Sequence, residues 1–508
     1  MHKEPNLRDQ STTAQKRPCG ATSTNPAPFH SVPIEIISEI FLRCLPVDEL
    51  PRSSPETAPT SLTHVCRSWR KIAIGTPSLW CRIQVGVEDS DDYPPRHANP
   101  RPSFDTRVLE CWAGRSRSMP LSIHVGYPAE SRLNYDSMLE AVTKLAPQCK
   151  DMAFSMPASY LRQVMALVPD STPLLASLVV YYGRVRTWGG PCHFSLDLSS
   201  APLPLLRSLS IRATFRFNFH TPLNALRTLS LAQCSPSNTL DILRNCPNIE
   251  DLALAFYGQL RSDGAPQPES TILLLRVKKF NLINTRYTED VWEDNDCLEI
   301  GELLDHLCLP SLKFFLYRTR SLPYDEKDPQ QWDYLSRLLY RSNCSVQDLE
   351  FDTNMIDAAS VVRCLQLSPG LKHLGVTATA LNEELVDVLT RPADDTIATY
   401  MCPLLESFHV DYVHKTSTMH TKHVLEIARS RLCLPIGHEA RAARFSFIHD
   451  HFRSSNPISD LQDTCRFSPR WSLLKDCLDN GLEAYSGIKW MEDREQQGLR
   501  FMMHQNSY

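Results

Sequence analysis

The stretch LRTLSLAQC, residues 226–234, carries the pattern that decides the fold, with apolar residues at Leu226, Leu229 and Leu231. The same phrase, an apolar residue followed by two more at three and five positions later, occurs ten times along the chain. In seven copies a proline lies two positions before the first apolar residue. The copies begin at Cys149, Leu175, Leu206, Leu226, Ile249, Val277, Leu312, Val346, Leu371 and Leu405. Such repetition indicates one structural unit that is used again and again.

Each copy ends with the two-residue alternation of a short strand, and a helical pattern often precedes it. MLEAVTKLA at 138–146, LDILRNC at 240–246 and VVRCLQLS at 361–368 are examples. The proline ends the helix before the strand begins. Because a single helix and strand cannot bury their own apolar faces, neighbouring units must stack, with parallel strands on one side and helices on the other.

The phrase resembles the leucine-rich repeat. LRTLSLAQC matches the consensus L-x-x-L-x-L-x-x-N/C in full, and the other copies match its first half. Successive copies lie 20 to 35 residues apart, which fits repeats of irregular length. The segments VLEIARSR at 424–431 and LLKDCLDNGLEAY at 473–485 have the same helix-then-strand form and are predicted terminal repeats, with Gly481 as a helix stop. The resemblance implies an α/β solenoid over residues 105–490.

An N-terminal module is predicted over residues 29–86. FHSVPIEIISEIFLRCLP at 29–46 predicts a helix that is apolar on nearly every side. A second helix is predicted over 61–73, and a third short element begins at Leu79 and Trp80. Three short helices can bury only one face of the first, so the other face predicts a protein partner. The alternative is that this face packs on the repeats that follow.

The module also resembles an F-box. Val32-Pro33-x-Glu35-Ile36-Ile37 matches the opening of that motif, Val65-Cys66-Arg67-x-Trp69-Arg70 its core and Pro77-x-Leu79-Trp80 its close. The chain departs from the family by an insertion at 47–61. The resemblance implies docking on the Skp-type adaptor of an SCF (cullin-RING) ubiquitin ligase. The implied adaptor contacts are Pro33, Ile34, Ile37, Ile40, Phe41, Leu45, Pro46, Val65, Cys66 and Trp69.

Composition predicts the segments outside these two parts. Residues 1–28 have almost no large apolar side chains and are predicted to be a disordered tail. Residues 87–104, rich in Asp, Pro and Arg, are predicted to be a linker, and residues 491–508 a second tail.

Charge and cysteine content limit the class of protein. Lys and Arg number 53 against 58 Asp and Glu, so the net charge of −5 does not favour nucleic acid. No apolar run is long enough to span a bilayer, and the N-terminus lacks the apolar core of a secretory signal. The 17 cysteines include no Cys-x-x-Cys and are predicted to be reduced. We therefore expect a protein of the cytoplasm or nucleus that does not contact membranes.

No catalytic or metal motif stands out. The chain has no G-x-x-x-x-G-K-[ST], G-x-S-x-G or H-E-x-x-H sequence. His420 and His423 lie one helical turn apart, with His409 and His414 upstream, but this spacing is more typical of a solvated face. We expect no enzyme activity, no cofactor and no metal. Arg429, Arg431, Arg441 and Arg444 form a basic cluster that suits either phosphate or acidic-partner binding or a solvated cap.

Two long loops predict an acidic edge. The longest spacings follow the strands at Val277 and Leu312, and loops at equivalent positions of stacked repeats fall on one edge. This edge would suit a basic segment of a partner. The alternative is an ordinary solvated pair of loops. The candidate residues of the acidic edge are Glu289, Asp290, Trp292, Glu293, Asp294, Asp296, Tyr324 and Trp332.

These observations favour a substrate-recognition subunit of an SCF-type ligase. By resemblance, the F-box would bind the Skp-type adaptor, and through it a cullin, while the repeats would bind an unknown protein substrate. The alternative is a non-catalytic leucine-rich scaffold without a role in ubiquitylation. The adaptor-binding module is common to both hypotheses.

Overall fold

The structure is a computed structural model of the chain. It describes residues 32–47, 49–86, 101–128, 131–182, 193–197, 203–218, 221–257, 271–285, 295–320, 331–353, 356–377, 380–390, 401–411, 418–433, 444–449, 457–466, 468 and 470–486. The two predicted tails therefore lie outside the described residues.

Fourteen strands form one sheet, and every neighbouring pair in it is parallel. The strands among the described residues are β1 (Arg82–Gly86), β2 (Leu121–Gly126), β3 (Cys149–Ser155), β4 (Ser177–Tyr181), β5 (His193–Asp197), β6 (Ser208–Arg212), β7 (Thr214–Asn218), β8 (Thr228–Ala232), β9 (Asp251–Tyr257), β10 (Ile272–Leu273), β11 (Lys279–Thr285), β12 (Leu307–Cys308), β13 (Phe314–Arg320), β14 (Asp348–Asp352), β15 (His373–Thr377), β16 (Ser407–Asp411), β17 (Phe445–His449) and β18 (Leu482–Ser486). The large sheet keeps chain order and omits only β5, β7, β10 and β12, which form two separate pairs.

In the described residues helices follow most of these strands, although none is described between β4 and β8 or between β9 and β11, and the helices pack on one another in chain order over long stretches. They are α1 (Ile34–Arg43), α2 (Leu62–Val65), α3 (Arg67–Gly75), α4 (Pro102–Ser116), α5 (Asp136–Leu145), α6 (Ala158–Ser171), α7 (Pro236–Arg244), α8 (Asn295–Asp305), α9 (Tyr334–Ser342), α10 (Ala358–Gln366), α11 (Glu383–Leu389), α12 (Thr418–Leu432), α13 (Pro457–Cys465) and α14 (Arg470–Asp479). A parallel sheet with helices between its strands confirms the predicted α/β architecture.

The ten copies of the phrase coincide with ten consecutive strands of the sheet, from β3 to β16. Their middle apolar residues pair in register, so Leu229 lies between Leu209 and Leu252. The same column continues through Phe280 and Phe315. These side chains are buried and belong to the same continuous apolar core as residues of the helices. The repeated leucines therefore hold the strands to the helical layer.

The N-terminal module is continuous with the sheet. Its last segment is β1, which pairs with β2. Trp80 packs edge-on against Trp112 of α4 at a centroid distance of 5.2 Å, and its indole N–H donates to the carbonyl of Ala73 at 2.8 Å. The predicted linker over residues 87–104 extends too far at its C-terminal end, because α4 begins at Pro102.

The insertion at 47–61 lies against the first strand. The backbone N–H of Gln84 donates to the carbonyl of Pro51 at 3.1 Å. The Arg82 guanidinium donates to the carbonyls of Pro46 and Glu49 at 3.2 and 2.9 Å. The inserted residues therefore cover the free edge of β1 with hydrogen bonds.

Two further predictions concern helix ends. The predicted second helix over 61–73 is wrong as one element, because it is interrupted at Cys66, which is extended and caps α3 by accepting from the Trp69 N–H at 3.4 Å. The segment 473–485 is confirmed as a helix followed by a strand, α14 with β18. The segment 424–431 is helical throughout, within α12, and the next strand, β17, begins only at Phe445. Gly481 follows α14 with φ of 105°, a conformation that side chains other than glycine rarely adopt.

Among the described residues, no helix combines the length and the apolar character needed to cross a bilayer.

Candidate functional site

Helix α1 carries two neighbouring apolar stripes, of which one is buried and the other exposed. The inner stripe, Ile37, Phe41 and Leu45, is buried. The outer stripe, Ile36, Ile40 and Cys44, is exposed, with Ile36 at 52% and Ile40 at 45% of full exposure. Each stripe follows the i, i+4 spacing of one helix face, and a shift of one residue turns the face by about 100°. The outer stripe is the exposed apolar surface that the sequence predicts for a partner.

The inner stripe corrects part of the implied adaptor contacts. Phe41 has no exposed surface and packs against Trp69 with ring centroids 4.9 Å apart. Ile37 and Leu45 are buried in the same apolar core. Because these side chains stabilise the module itself, Ile37, Phe41 and Leu45 are not free to touch a partner. Trp69 is half-buried and serves mainly as their internal neighbour.

The remaining implied contacts are accessible. Pro33, Ile34, Val65 and Cys66 are exposed, and Pro46 is half-buried. Three exposed apolar side chains of the module, Ile36, Val47 and Ile74, were missing from the implied set. The spacing of Ile36 and Ile40 is the sequence signal that identifies the outer stripe. Deciding which stripe is outside requires the position of α3.

The predicted acidic edge lies largely outside the described residues. Glu289, Asp290, Trp292, Glu293, Asp294 and Tyr324 are in this group, and Asp296 is placed only as a backbone position in α8. Trp332 is among the described residues, and its predicted role as an exposed anchor is wrong. Its side chain is buried and stacks on Tyr317 with ring centroids 4.6 Å apart. It is therefore a core residue and not an anchor at an exposed edge.

A basic row, which sequence reasoning missed, lies at the N-terminal edge of the sheet. It consists of the residues that directly follow the first apolar position of each phrase, and consecutive members are joined by backbone hydrogen bonds such as Lys313 N–H to Lys278 O at 2.9 Å. Two acidic residues also lie in the row: Glu250 pairs with Lys278 at 2.7 Å, and Glu406 lies 3.8 Å from Lys372. Basic residues outnumber acidic ones, so the row favours an acidic partner. The basic members are Lys150, Arg207, Arg227, Lys278, Lys313 and Lys372.

The basic cluster late in the chain also needs a correction. Arg431 is fully buried and donates to the carbonyls of Leu389, Met401 and Cys402 at 2.8, 3.0 and 2.5 Å. Arg444 pairs with Glu483 at 3.3 Å. Arg431 thus holds backbone together and does not face a phosphate or an acidic partner.

The histidines group differently from the sequence expectation. His409 lies apart from the predicted pair on α12, because it belongs to β16. Its neighbours are Glu350 on β14 and His373 on β15, and the candidate ligand atoms of the three residues all lie within 4.8 Å of one another. All three are buried. Two imidazoles and a carboxylate are the donor types that a zinc-like ion prefers.

Core thiols are poor nucleophiles here. Every cysteine whose side chain the structure describes is a free thiol. Burial raises the pKa of Cys149 and of Cys246 to about 12. A thiol with such a pKa is almost fully protonated at neutral pH, and the thiolate is the reactive form.

No known family model matches the chain, and no curated protein matches it.

Proposed function

We propose that the protein is a non-catalytic substrate receptor of an SCF-type ubiquitin ligase. Its N-terminal module would act as an F-box that docks on a Skp-type adaptor, which binds a cullin. The parallel sheet and its helices would act as an irregular leucine-rich repeat solenoid that holds a substrate protein. The observation that carries the proposal is the exposed outer stripe of α1.

The outer stripe is costly unless a partner covers it. Two isoleucines one helical turn apart stay about half exposed, and Ile34 in the first turn is 62% exposed. Burying an aliphatic side chain of this size contributes about 1.5–3 kcal/mol relative to exposure. The inner stripe already supplies the helix with its own core. A second stripe beside it is what a docking helix needs.

The F-box motif positions support the same surface. Val65 and Cys66 are exposed at the break between α2 and α3, next to the half-buried Trp69 of the V-C-R-x-W core. Leu79 and Trp80 of the closing motif are buried and anchor the module to α4. The motif thus divides into residues that can meet an adaptor and residues that fix the module to the sheet.

The test is co-purification of the full chain with a Skp-type adaptor. The double variant Ile36→Ala with Ile40→Ala should lower the affinity at least tenfold, because apolar anchors at the centre of an interface often cost about 2 kcal/mol each. A matched control is Leu273→Ala with Leu275→Ala, two equally exposed apolar residues far along the chain. The control should bind as the wild type does.

Thiol labelling gives a second readout. Cys44 and Cys66 are exposed, so an alkylating reagent should modify both in the isolated chain, and bound adaptor should protect them. Wild-type affinity in the isoleucine variant, or loss of binding in both pairs of variants, would move the docking surface elsewhere.

A leucine-rich scaffold without a role in ubiquitylation is the second candidate, because it needs the same adaptor surface. Accelerated proteasome-dependent turnover of a bound partner separates the two. A partner whose half-life does not change when the outer stripe is mutated would favour the scaffold. The basic row and the predicted acidic loops are the charged edges at which to map that partner.

A further inference from the structure

Three neighbouring strands bring one carboxylate and two imidazoles to one face of the sheet. Glu350 of β14 and His409 of β16 both pair in register with Gly375 of β15. His373 lies two residues before Gly375 on the middle strand, and alternate residues of a strand share a face. The three side chains therefore surround the surface above Gly375.

The contacts within the cluster are short and specific. His373 Nε2 lies 2.9 Å from Glu350 Oε1. The other ring nitrogen, Nδ1, lies 2.7 Å from the hydroxyl oxygen of Ser407. Nε2 therefore shares a proton with the carboxylate, and a bound ion would replace that proton, which is released to solvent. Ser407 holds the ring in this orientation. A second hydrogen-bonded partner behind a ligating imidazole is the usual arrangement in metal sites.

Gly375 leaves the space that the cluster occupies. A Cβ atom added at this position would lie 2.8 Å from Cγ of Glu350, closer than real contacts allow. Any larger residue would thus press on the carboxylate side chain. Glycine in the middle strand lets side chains from the two flanking strands approach one another.

We propose that Glu350, His373 and His409 bind one divalent transition-metal ion of the zinc class. Two imidazole nitrogens and one carboxylate oxygen form the three-ligand set of zinc sites whose fourth position is taken by water. Magnesium and calcium prefer sites built from oxygen ligands alone. His373 is only 2% exposed, and burying a polar group of this kind costs free energy unless it is hydrogen-bonded, paired or bound to a metal.

The bound ion would join β14, β15 and β16 at the face opposite to the apolar core. It would stabilise this part of the sheet in proportion to its occupancy, because a ligand that binds only the folded state raises the stability. This role is independent of the proposed adaptor binding.

The experiment uses the full chain after removal of metal with a chelator and alkylation of the exposed thiols. Zinc chloride should bind with a stoichiometry of about one ion per chain above the background of surface histidines and should raise the unfolding temperature. Magnesium chloride should do neither. Bound cobalt should show an absorption spectrum without thiolate-to-metal charge transfer, since no cysteine belongs to the site.

Variants locate the ion. His409→Asn and Glu350→Gln should each lower the zinc affinity at least tenfold, and Ser407→Ala about tenfold through the orientation of His373. The control is His420→Ala with His423→Ala, which should keep wild-type affinity. No zinc-dependent stabilisation of the wild-type chain would overturn the proposal even if the variants fail to fold. Loss of the ion in the His420 and His423 control, with the cluster variants unaffected, would also overturn it.

Discussion

In most folded proteins apolar side chains are buried and polar ones are exposed. Helix α1 departs from this rule by exposing apolar side chains, and strands β14 to β16 depart from it by burying polar ones. Helix α1 leaves Ile36 and Ile40 in solvent beside a fully buried Phe41. The three strands instead bury His373, with Glu350 and His409 beside it. Exposed apolar surface and buried polar groups are the informative exceptions in a folded protein, because the usual arrangement needs no explanation. The first exception points to a partner, the second to internal pairing or an ion.

The two regions also differ in whether the important neighbours are adjacent along the chain or lie on adjacent strands. In α1, a single step along the chain changes a side chain from core to surface. In the sheet, the relevant neighbours come from different strands, and Glu350 reaches His373 across 23 positions of the sequence. If burial ranks the energetic importance of such residues, a change at a fully buried side chain should cost far more stability than a change at an exposed neighbour.

The largest effect is expected at Phe41. Phe41→Ala removes a fully buried ring that contacts Trp69 and should lower the free energy of unfolding by about 3–5 kcal/mol. Ile40→Ala, one residue away and about half exposed, should change it by less than about 0.5 kcal/mol. Denaturant unfolding of both variants measures the difference. Equal losses would mean that the outer stripe is part of the core.

Arg431 tests how much a buried, hydrogen-bonded polar side chain contributes to the stability of the fold. Arg431→Met keeps the length of the side chain but leaves the carbonyls of Leu389, Met401 and Cys402 without this donor. Because hydrogen bonds from a charged donor contribute about 1.5–3 kcal/mol, the variant should lose about 3 kcal/mol in thermal or denaturant unfolding. Arg429→Met, on the exposed side of the same helix, is the control and should be nearly neutral. A neutral Arg431 variant would contradict the structural role.

The smallest effect is expected in the exposed basic row. Glu250 lies 2.7 Å from Lys278 Nζ and 3.6 Å from Arg227 Nε, and the hydrogen bond from Lys278 is the main reason that its pKa is lowered. Glu250→Gln should cost less than about 1 kcal/mol at neutral pH, because surface pairs are screened by water.

The pH dependence of this pair has a definite sign. A carboxyl group whose pKa is lower in the folded state stabilises the fold at neutral pH, and that contribution is lost as the pH falls through the lowered pKa. The difference between wild type and Glu250→Gln should therefore shrink in unfolding experiments as the pH falls through the lowered pKa of Glu250. A difference that grows on acidification would show that another group is responsible.

Much of the fold follows from local pattern. The ten phrases place ten strands, and the segment 473–485, with Gly481 after its helix, places the helix–strand unit of α14 and β18. The division at Cys66 was missed, because an apolar residue inside a helical pattern gives no sign that its backbone is extended. Trp332 was missed for another reason: an acidic, aromatic loop composition predicts exposure, but stacking on Tyr317 buries the ring.

The sequence alone determined the parallel strands, the helices between them and a first helix with more apolar surface than its module can bury. These properties depend on periodicity within about 20 to 35 residues, where side-chain type and spacing are sufficient. Only the tertiary structure decided which stripe of α1 is inside and brought Glu350, His373 and His409 together. Those outcomes depend on α3 packing against α1 and on the register of three strands around Gly375. Contacts between distant segments are set by the whole sheet, so no local pattern contains them.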